Sequence, residues 1–244
     1  MNIPAIRGII DRRILANYRI DPDVMAAHLP KPFRPQLVNG YSIAGICLIR
    51  LKQVRPRFFP IPWGFGSENA AHRIAVEWET EGKIRSGVYV PRRDTSSRLN
   101  ALAGGRLFPG LSHHATFRVT EEDVHFSVEM KSDDGHASVH LSGSVDDTFP
   151  EDSVFGSLEK ASAFFESGSL GYSDSRVPKQ YHGLELRCTR WQTENLAIHA
   201  MNSSFFEDAH AFPAGSVEFD CALLMRNIPH EWHAQPSICC DSVV

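Results

Sequence analysis

Charged side chains crowd one stretch of the chain, from Ser67 to Gly110, beside residues typical of strands. Two of them, Glu68 and His72, can move protons at physiological pH when their surroundings adjust their pKa values. A carboxylate at the mouth of an apolar pocket has a raised pKa and can act as a general acid or base. We therefore predict Glu68 and His72 as catalytic residues, with a structural hydrogen-bond anchor as the alternative for Glu68.

Arginines supply the binding chemistry in the same stretch. Arg92 and Arg93 follow a proline at the end of a predicted strand, and Arg106 lies in a glycine-rich turn further along. A guanidinium group binds a carboxylate through two parallel hydrogen bonds. We therefore predict that these arginines hold a small organic anion. In the structural alternative, Asp94 caps the next helix and the arginines form salt bridges.

Signatures of metal, nucleotide and nucleophile sites are missing from the sequence. The segment His230-Glu231-Trp232-His233 has one residue too few between its glutamate and second histidine for a zinc-protease helix. His113 and His114 would point to opposite faces of a strand. No phosphate-binding glycine loop, nucleophile elbow or dinucleotide fingerprint occurs. We therefore expect neither a metal nor a cofactor.

Composition excludes several classes of protein. The 244 residues are 42% hydrophobic and carry 25 basic and 29 acidic side chains, for a net charge of −4. Nothing in this balance attracts nucleic acid or an anionic membrane. Five cysteines in no framework spacing indicate reduced thiols, with Cys47 and Cys221 buried in strands. Charged residues interrupt the first apolar residues, so we expect a cytoplasmic protein.

Alternation of apolar and polar residues predicts many strands. Residues 12–20 form a strand, Asp21-Pro22 begin a short helix, and Asn39-Gly40 turn a hairpin. The run of apolar residues within the strand 41–54 predicts burial on both faces. The aromatic and proline-rich segment 55–66 is interpreted as a loop that acts as a lid or an interface.

The rest of the chain continues this pattern with few helices. Further strands are predicted at 71–79, 83–90, in a meander over 113–145, and around 170–174, 184–191, 196–201 and 217–226, with helices at 96–103 and 153–167 and an irregular tail from Pro229. This order predicts a mainly β (α+β), largely antiparallel fold. Without a low-complexity linker or repeat, we expect a single domain over residues 1–244.

The order of these elements resembles that of acetoacetate decarboxylase-like proteins. The resemblance rests on Glu68, Gly87-Val88-Tyr89, Asp94, the helix 96–103, Gly105-Arg106 and Phe108-Pro109. Longer strings resemble an uncharacterised bacterial family, domain of unknown function 2071, over nearly the whole chain. They include R-R-I-L-A-N-Y-R, L-V-N-G-Y, E-N-A-A-H-R-I-A-V-E, P-R-R-D-T-S-S-R-L-N and G-G-R-L-F-P-G.

This resemblance implies a strongly curved antiparallel sheet that closes into a cone or barrel, with a pocket inside and assembly into homo-oligomers. It implies that Glu68 lies near the conserved glutamate of the decarboxylase, and it adds Tyr89 to the ligand-binding candidates. The decarboxylase forms a Schiff base through a lysine after its G-x-P motif. Here Gly110, Leu111 and Ser112 follow Pro109, so the matching position has no lysine.

Three hypotheses follow for function. The first is a pocket protein that binds an organic acid or similar anion, with proton transfer beside a carbonyl as its least demanding chemistry. The second is a lyase or decarboxylase that uses a lysine from another part of the chain. The third is a non-enzymatic structural or interaction protein in which the charged stretch is only a salt-bridged core.

Overall fold

The computed structural model describes residues 5–58, 64–103 and 110–239. Within these ranges most residues lie in strands. The strands are β1 (Ile6–Ile20), β2 (Arg34–Pro35), β3 (Leu37–Val38), β4 (Tyr41–Pro56), β5 (Phe65–Thr80), β6 (Lys83–Thr95), β7 (His113–Glu122), β8 (His125–Ser132), β9 (Ser138–Val145), β10 (Leu170–Asp174), β11 (Gln180–Cys188), β12 (Glu194–Ser203) and β13 (Val217–Cys239). The helices are α1 (Pro22–His28), α2 (Arg98–Ala103) and α3 (Leu158–Ser167).

Backbone pairing links the strands into one large sheet that returns on itself. The pairing runs from β1 to β4, β5, β6, β7, β8, β9, β12 and β13 in turn, and β13 pairs with β1 again. Of the four other strands, β10 and β11 pair beside β6 and β13, and the short β2 and β3 pair with β5 and β4. Most pairs are antiparallel, and the pairs of β6 with β7 and with β10 are parallel. The predicted mainly β fold is confirmed, as a mixed sheet with ring-like pairing.

Two apolar cores lie on the two faces of this ring. The inner face is defined by Ile14, Leu48 and Ile74, and the outer face by Leu15, Cys47 and Leu223. Side chains from all nine strands of the ring meet on the inner face, whereas α3 covers the outer face with Ala161 and Phe165. The central residues of β4 are buried on both sides, as its apolar run predicts.

Local signals predicted the beginning of the fold well. The Asp21 carboxylate accepts hydrogen bonds from the backbone N–H groups of Asp23 and Val24, and Pro22 is the first residue of α1. Asn39 and Gly40 both have positive φ angles, of 48° and 87°, in the two-residue turn that joins β3 to β4. Such angles suit asparagine and glycine, which explains why this pair forms the hairpin.

Several predicted elements have other bounds in the structure. Helix α3 begins at Leu158 with Ser157 as its cap, because Ser153 instead donates to Asp220 at 2.7 Å. Strand β13 continues through Pro229 to Cys239, where an irregular tail was predicted, because β1 and β11 both pair with it there. The predicted 55–66 loop is shorter, since β4 reaches Pro56 and β5 begins at Phe65; residues 59–63 lie outside the described ranges.

Candidate functional site

The pairing of three neighbouring strands brings charged residues into one row on the inner face. Arg12 of β1 lies opposite Arg50 of β4, and Arg50 lies opposite Glu68 of β5. Side chains alternate between faces along a strand, so Arg12 shares the face of Ile14, and Glu68 shares the face of Ala70. Three distant parts of the chain therefore meet at one place inside the ring.

A second carboxylate joins this row from β7. Glu121 accepts hydrogen bonds from Nη1 of Arg12 at 2.5 Å and from Nη1 of Arg50 at 3.0 Å. Glu68 accepts from Nη2 of Arg12 at 2.6 Å and from Nε of Arg50. Each carboxylate therefore bridges the same two guanidinium groups. We name Arg12, Arg50, Glu68 and Glu121 the ring-end cluster.

The exposure of the side chains increases across the ring-end cluster, from the buried interior towards solvent. The Arg12 side chain is 2% exposed and that of Glu68 is 15% exposed, whereas Arg50 and Glu121 are 26% and 28% exposed. The Nε atom of Arg12 is buried and has no hydrogen-bond partner among the described residues. The cluster thus combines a fixed, buried cation with more accessible groups at its rim.

Opposite charges favour the charged form of Arg50. Burial opposes the charge of Arg50, but the hydrogen bond and charge of Glu68, together with Glu121 and Asp11, raise the pKa of Arg50 above its ordinary value. Asp11 also pairs with Lys52 at 2.8 Å on the same rim. Two guanidinium groups and two carboxylates balance within the cluster, which a partly buried site requires.

Glu68 therefore lies in a different environment from the one expected from sequence. We predicted a carboxylate among apolar walls, and the structure instead places a guanidinium group against each of its two oxygen atoms. Its backbone is also fixed, because Ser96 donates to the Glu68 carbonyl and the Ser96 hydroxyl accepts from the Glu68 N–H. Its catalytic role stays a prediction.

His72 lies on the same inner face of β5, four residues further along the strand. At about 3.3 Å per residue this separates it from Glu68 by about 13 Å. The imidazole ring of His72 is fully buried against Phe205, with 4.7 Å between the two ring centroids. Neither imidazole nitrogen has a hydrogen-bond partner among the described residues. Burial, reinforced by the charge of Arg92, lowers the pKa of His72 to about 3. His72 is thus neutral and is not part of the ring-end cluster.

Arg92 is bound by carboxylates of the protein itself. Its Nη2 donates to Asp94 at 2.8 Å, to Asp134 at 2.9 Å and to the hydroxyl of Ser132 at 2.6 Å. Burial opposes its charge, but Asp94 and Asp134 raise the pKa of Arg92. The salt-bridge interpretation of Arg92 and Asp94 therefore describes this pair, and the role of Arg92 in ligand binding stays a prediction.

Arg93, another of the predicted ligand-binding arginines, lies elsewhere. Arg93 pairs with Ala71 in the β5–β6 ladder and belongs to the outer face, where burial lowers its pKa to about 10. Arg106 lies outside the described residues. The structure therefore does not bring Arg92 and Arg93 together with Glu68 in one site.

Tyr89 lies on the inner face at the edge of a separate surface cleft. Its hydroxyl donates to the carboxylate of Asp174 at 2.9 Å. The cleft has a volume of about 610 Å³ and lies between α1 and the β10–β11 turn. Its other lining residues include His28, Leu111, Lys179 and Tyr181. Tyr89, a predicted ligand-binding residue, thus borders a cleft.

Sequence reasoning missed Arg12, Arg50 and Glu121. One signal was available, because Arg12 shares the face of β1 that carries the apolar residues Ile14 and Ala16. A charged residue on an apolar face is rare unless it has a partner. No local pattern identifies Glu121 as that partner, since 109 positions separate it from Arg12.

Two structural features are absent from the described residues. They contain no group of three or more histidine, cysteine, aspartate or glutamate side chains arranged to hold a metal ion. Among the same residues, no helix has the length and apolar character needed to cross a membrane.

Comparison with known proteins gives one family. Residues 10–222 match the family model of DUF2071, described as an uncharacterized conserved protein. A search of curated proteins gives no match.

Solved structures show the fold. An acetoacetate decarboxylase from Legionella pneumophila subsp. pneumophila str. Philadelphia 1 has 14% identity and a TM-score of 0.61, over 97% of this chain and 90% of that one. An acetoacetate decarboxylase-like enzyme from Sphingomonas wittichii RW1 has 13% identity and a TM-score of 0.62, over 100% and 95%. The enduracididine biosynthesis enzyme MppR, complexed with pyruvate, has 11% identity and a TM-score of 0.59, over 98% and 91%. These similarities establish an acetoacetate decarboxylase-like fold.

Proposed function

This chain belongs to the DUF2071 family and has an acetoacetate decarboxylase-like fold, and we propose that it binds a short oxo acid at the ring-end cluster. Arg12 and Arg50 hold the carboxylate of the acid, and Glu68 transfers a proton beside its carbonyl group. The proposal keeps the organic-acid function and the role of Glu68 that the sequence predicts. It assigns the binding of the anion to different arginines.

One observation carries this proposal: two carboxylates already bridge the same pair of guanidinium groups. The carboxylate of Glu121 stands in for that of a ligand, because its two oxygen atoms accept from both Arg12 and Arg50. A planar guanidinium group matches a carboxylate in this way whether the carboxylate is a side chain or a small molecule. Replacing Glu121 with a ligand leaves the charge balance of the cluster unchanged.

Glu121 is the more exchangeable of the two carboxylates. It is 28% exposed, against 15% for Glu68, and it is the second-last residue of β7 before the turn at Asp123. Glu68 lies within a long strand that is paired on both sides, and its backbone is tied to Ser96. A ligand that displaces Glu121 would therefore meet Glu68 already in position.

The names of the structural neighbours suggest the ligand class. Acetoacetate and pyruvate, which two of these names contain, are both short acids that carry a carbonyl group. In such acids the protons beside the carbonyl are the most acidic carbon-bound protons. A fixed carboxylate beside a bound oxo acid can remove one of them, and the nearby guanidinium groups stabilise the negative charge that develops.

Calorimetric titration with pyruvate and with acetoacetate tests the binding step. We expect both acids to bind, and we expect Arg50→Met to weaken binding at least about tenfold, the equivalent of about 1.4 kcal/mol. Arg226→Met is the matched control: Arg226 lies opposite Arg12 on the inner face but pairs with Glu194 outside the cluster. Equal affinities in the two variants, or no binding of either acid to the native protein, would refute the proposal.

Borohydride treatment separates this function from the lyase hypothesis. An imine between a lysine and an oxo acid is trapped irreversibly by reduction, whereas a carboxylate held by arginines is not. We expect no labelled lysine after treatment with pyruvate and borohydride. Labelling of a single lysine, followed by mass spectrometry of its peptide, would instead support a lyase that uses a relocated lysine.

A further inference from the structure

A second buried arginine, Arg73, lies on the outer face of β5. Only 4% of this residue is exposed, and α3 covers it with the ring of Phe165, whose centroid is 4.5 Å from the guanidinium carbon. Its Nη2 donates to the amide oxygen of Asn17. Its Nε and Nη1 have no hydrogen-bond partner among the residues that the structure describes. Arg73 is therefore a buried cation with unused donors.

Strand pairing explains how Arg73 reaches this place. Cys221, Asn17, Gly45 and Arg73 lie opposite one another in a row across β13, β1, β4 and β5. Gly45 has no side chain, so Arg73 can extend across β4 to contact Asn17 on the next strand. A Cβ atom at Gly45 would lie 2.2 Å from the carbonyl oxygen of Ala16, which shows how closely the strands approach here.

The charges around Arg73 do not compensate its own. Burial lowers the pKa of Arg73 to about 10, and the groups that act on it are Cys47, Arg13 and Cys221, none of them a carboxylate. A guanidinium with this pKa is still protonated at neutral pH. Arg13 adds a second positive charge close by, because its Nε donates to the sulfur of Cys47 at 3.3 Å.

Asp220, the residue before Cys221 in the chain, already has other partners. Asp220 raises the pKa of Cys221, after the larger effect of burial, so Cys221 remains a neutral thiol. The Asp220 carboxylate accepts from the hydroxyl of Ser153 at 2.7 Å and from the backbone of Val154 at 2.9 Å, and it lies 3.6 Å from Arg19. The Asp220 carboxylate is therefore already engaged by Ser153, Val154 and Arg19.

An isolated buried charge with unmatched donors is costly in a protein interior. A bound anion removes both costs, because it supplies the opposite charge and accepts from the free N–H groups. We propose that the Nε and Nη1 groups of Arg73, beside Asn17, Cys47 and Phe165, form a binding site for a small monovalent inorganic anion of halide type. The positive charges of Arg73 and Arg13 attract an anion, and the aromatic and sulfur-containing surroundings favour a weakly hydrated one, which suits a monovalent halide.

Thermal unfolding in mixtures of sodium bromide and sodium gluconate at constant ionic strength tests this site. A ligand that binds only the folded protein raises the unfolding midpoint with a saturable dependence on its concentration. We expect such a rise of several degrees in the native protein and its loss in Arg73→Met. Arg19→Met, an outer-face arginine that has carboxylate partners, should retain the rise.

A bromide-soaked crystal of the native protein keeps the test independent of variant folding. Anomalous scattering should locate bromide in contact with the Nε or Nη1 atom of Arg73. Bromide only at exposed arginines, or a midpoint that rises equally in native protein and Arg73→Met, would overturn the proposal. If Arg73→Met does not fold, the crystal alone decides.

Discussion

Arg12 and Arg73 are both buried arginines in the same sheet, but they lie on opposite faces with opposite surroundings. Arg12 donates to two carboxylates on the inner face, Glu68 and Glu121. Arg73 donates to the neutral amide of Asn17 and lies against the ring of Phe165. Burial alone therefore does not determine what an arginine does; the charge of its partners does.

The difference between the partners of Arg12 and those of Arg73 predicts two kinds of anion binding. On the inner face the cluster is already neutral, so an acid must exchange with a protein carboxylate. On the outer face the positive charge of Arg73 has no carboxylate partner among the described residues, so an anion binds there without displacing a protein carboxylate. The inner site is accordingly suited to a ligand that enters and leaves, and the outer site to one that stabilises the fold.

The largest expected effect is on the rate of proton transfer by Glu68, which is measured separately from ligand binding on the inner face. Glu68→Gln removes the proton acceptor but keeps an oxygen atom near Arg12 and Arg50. Exchange of the methyl protons of pyruvate with D₂O, followed by proton NMR, should slow at least about a hundredfold relative to native protein, the usual size of a general-base contribution. Native protein that does not accelerate this exchange would remove the catalytic part of the proposal.

Unfolding in urea compares the two buried arginines directly. Arg12→Met leaves Glu68 and Glu121 with one guanidinium group instead of two, and we expect it to lower the free energy of unfolding by about 3–5 kcal/mol. Arg73→Met in bromide-free buffer leaves no carboxylate unpaired, so its loss should be below about 1 kcal/mol. Similar losses for the two variants would contradict the contrast between the faces.

Low pH should destabilise the folded protein through two buried histidines, His72 and His230. Burial, with the nearby arginines Arg92 and Arg13, lowers the pKa of His72 to about 3 and that of His230 to about 4, from 6.5. Below pH 6.5 the unfolded chain binds protons that the folded protein does not, so the stability is complete above pH 6.5 and declines as pH falls.

The size of this acid effect follows from the pKa values. Protonation linked to each histidine should lower the free energy of unfolding by about 2 kcal/mol between pH 6.5 and pH 5, since one proton changes it by about 1.36 kcal/mol per pH unit. His72→Phe and His230→Phe should each remove about half of the combined slope, measured by urea unfolding at several pH values. A slope that is unchanged in His72→Phe would show that the imidazole becomes protonated without unfolding.

Local patterns predicted much of the fold because they depend on neighbouring residues. The cap at Asp21, the turn at Asn39-Gly40 and the strand over residues 12–20 are confirmed. The beginning of α3 could not be read in the same way, because Ser153 and Ser157 are both suitable caps and the choice depends on Asp220.

The candidate site was harder to predict because its geometry is set by long-range pairing. Glu68 was visible in the sequence, but its partners come from β1 and β4, and they share it with Glu121 of β7. Arg92 reaches the inner face only because the β5–β6 ladder shifts its register between His72 and Ile74. The single domain, the homo-oligomer and the cytoplasmic location stay predictions.

The affinity of Glu121→Gln for pyruvate tests the central claim most directly. If Glu121 occupies the place of the ligand carboxylate, a neutral amide competes less for Arg12 and Arg50, and calorimetry should show tighter binding by about three- to tenfold, or about 0.7–1.4 kcal/mol. Weaker or unchanged binding, in a variant that unfolds at the native midpoint, would mean that Glu121 does not hold the ligand's place and would contradict the account.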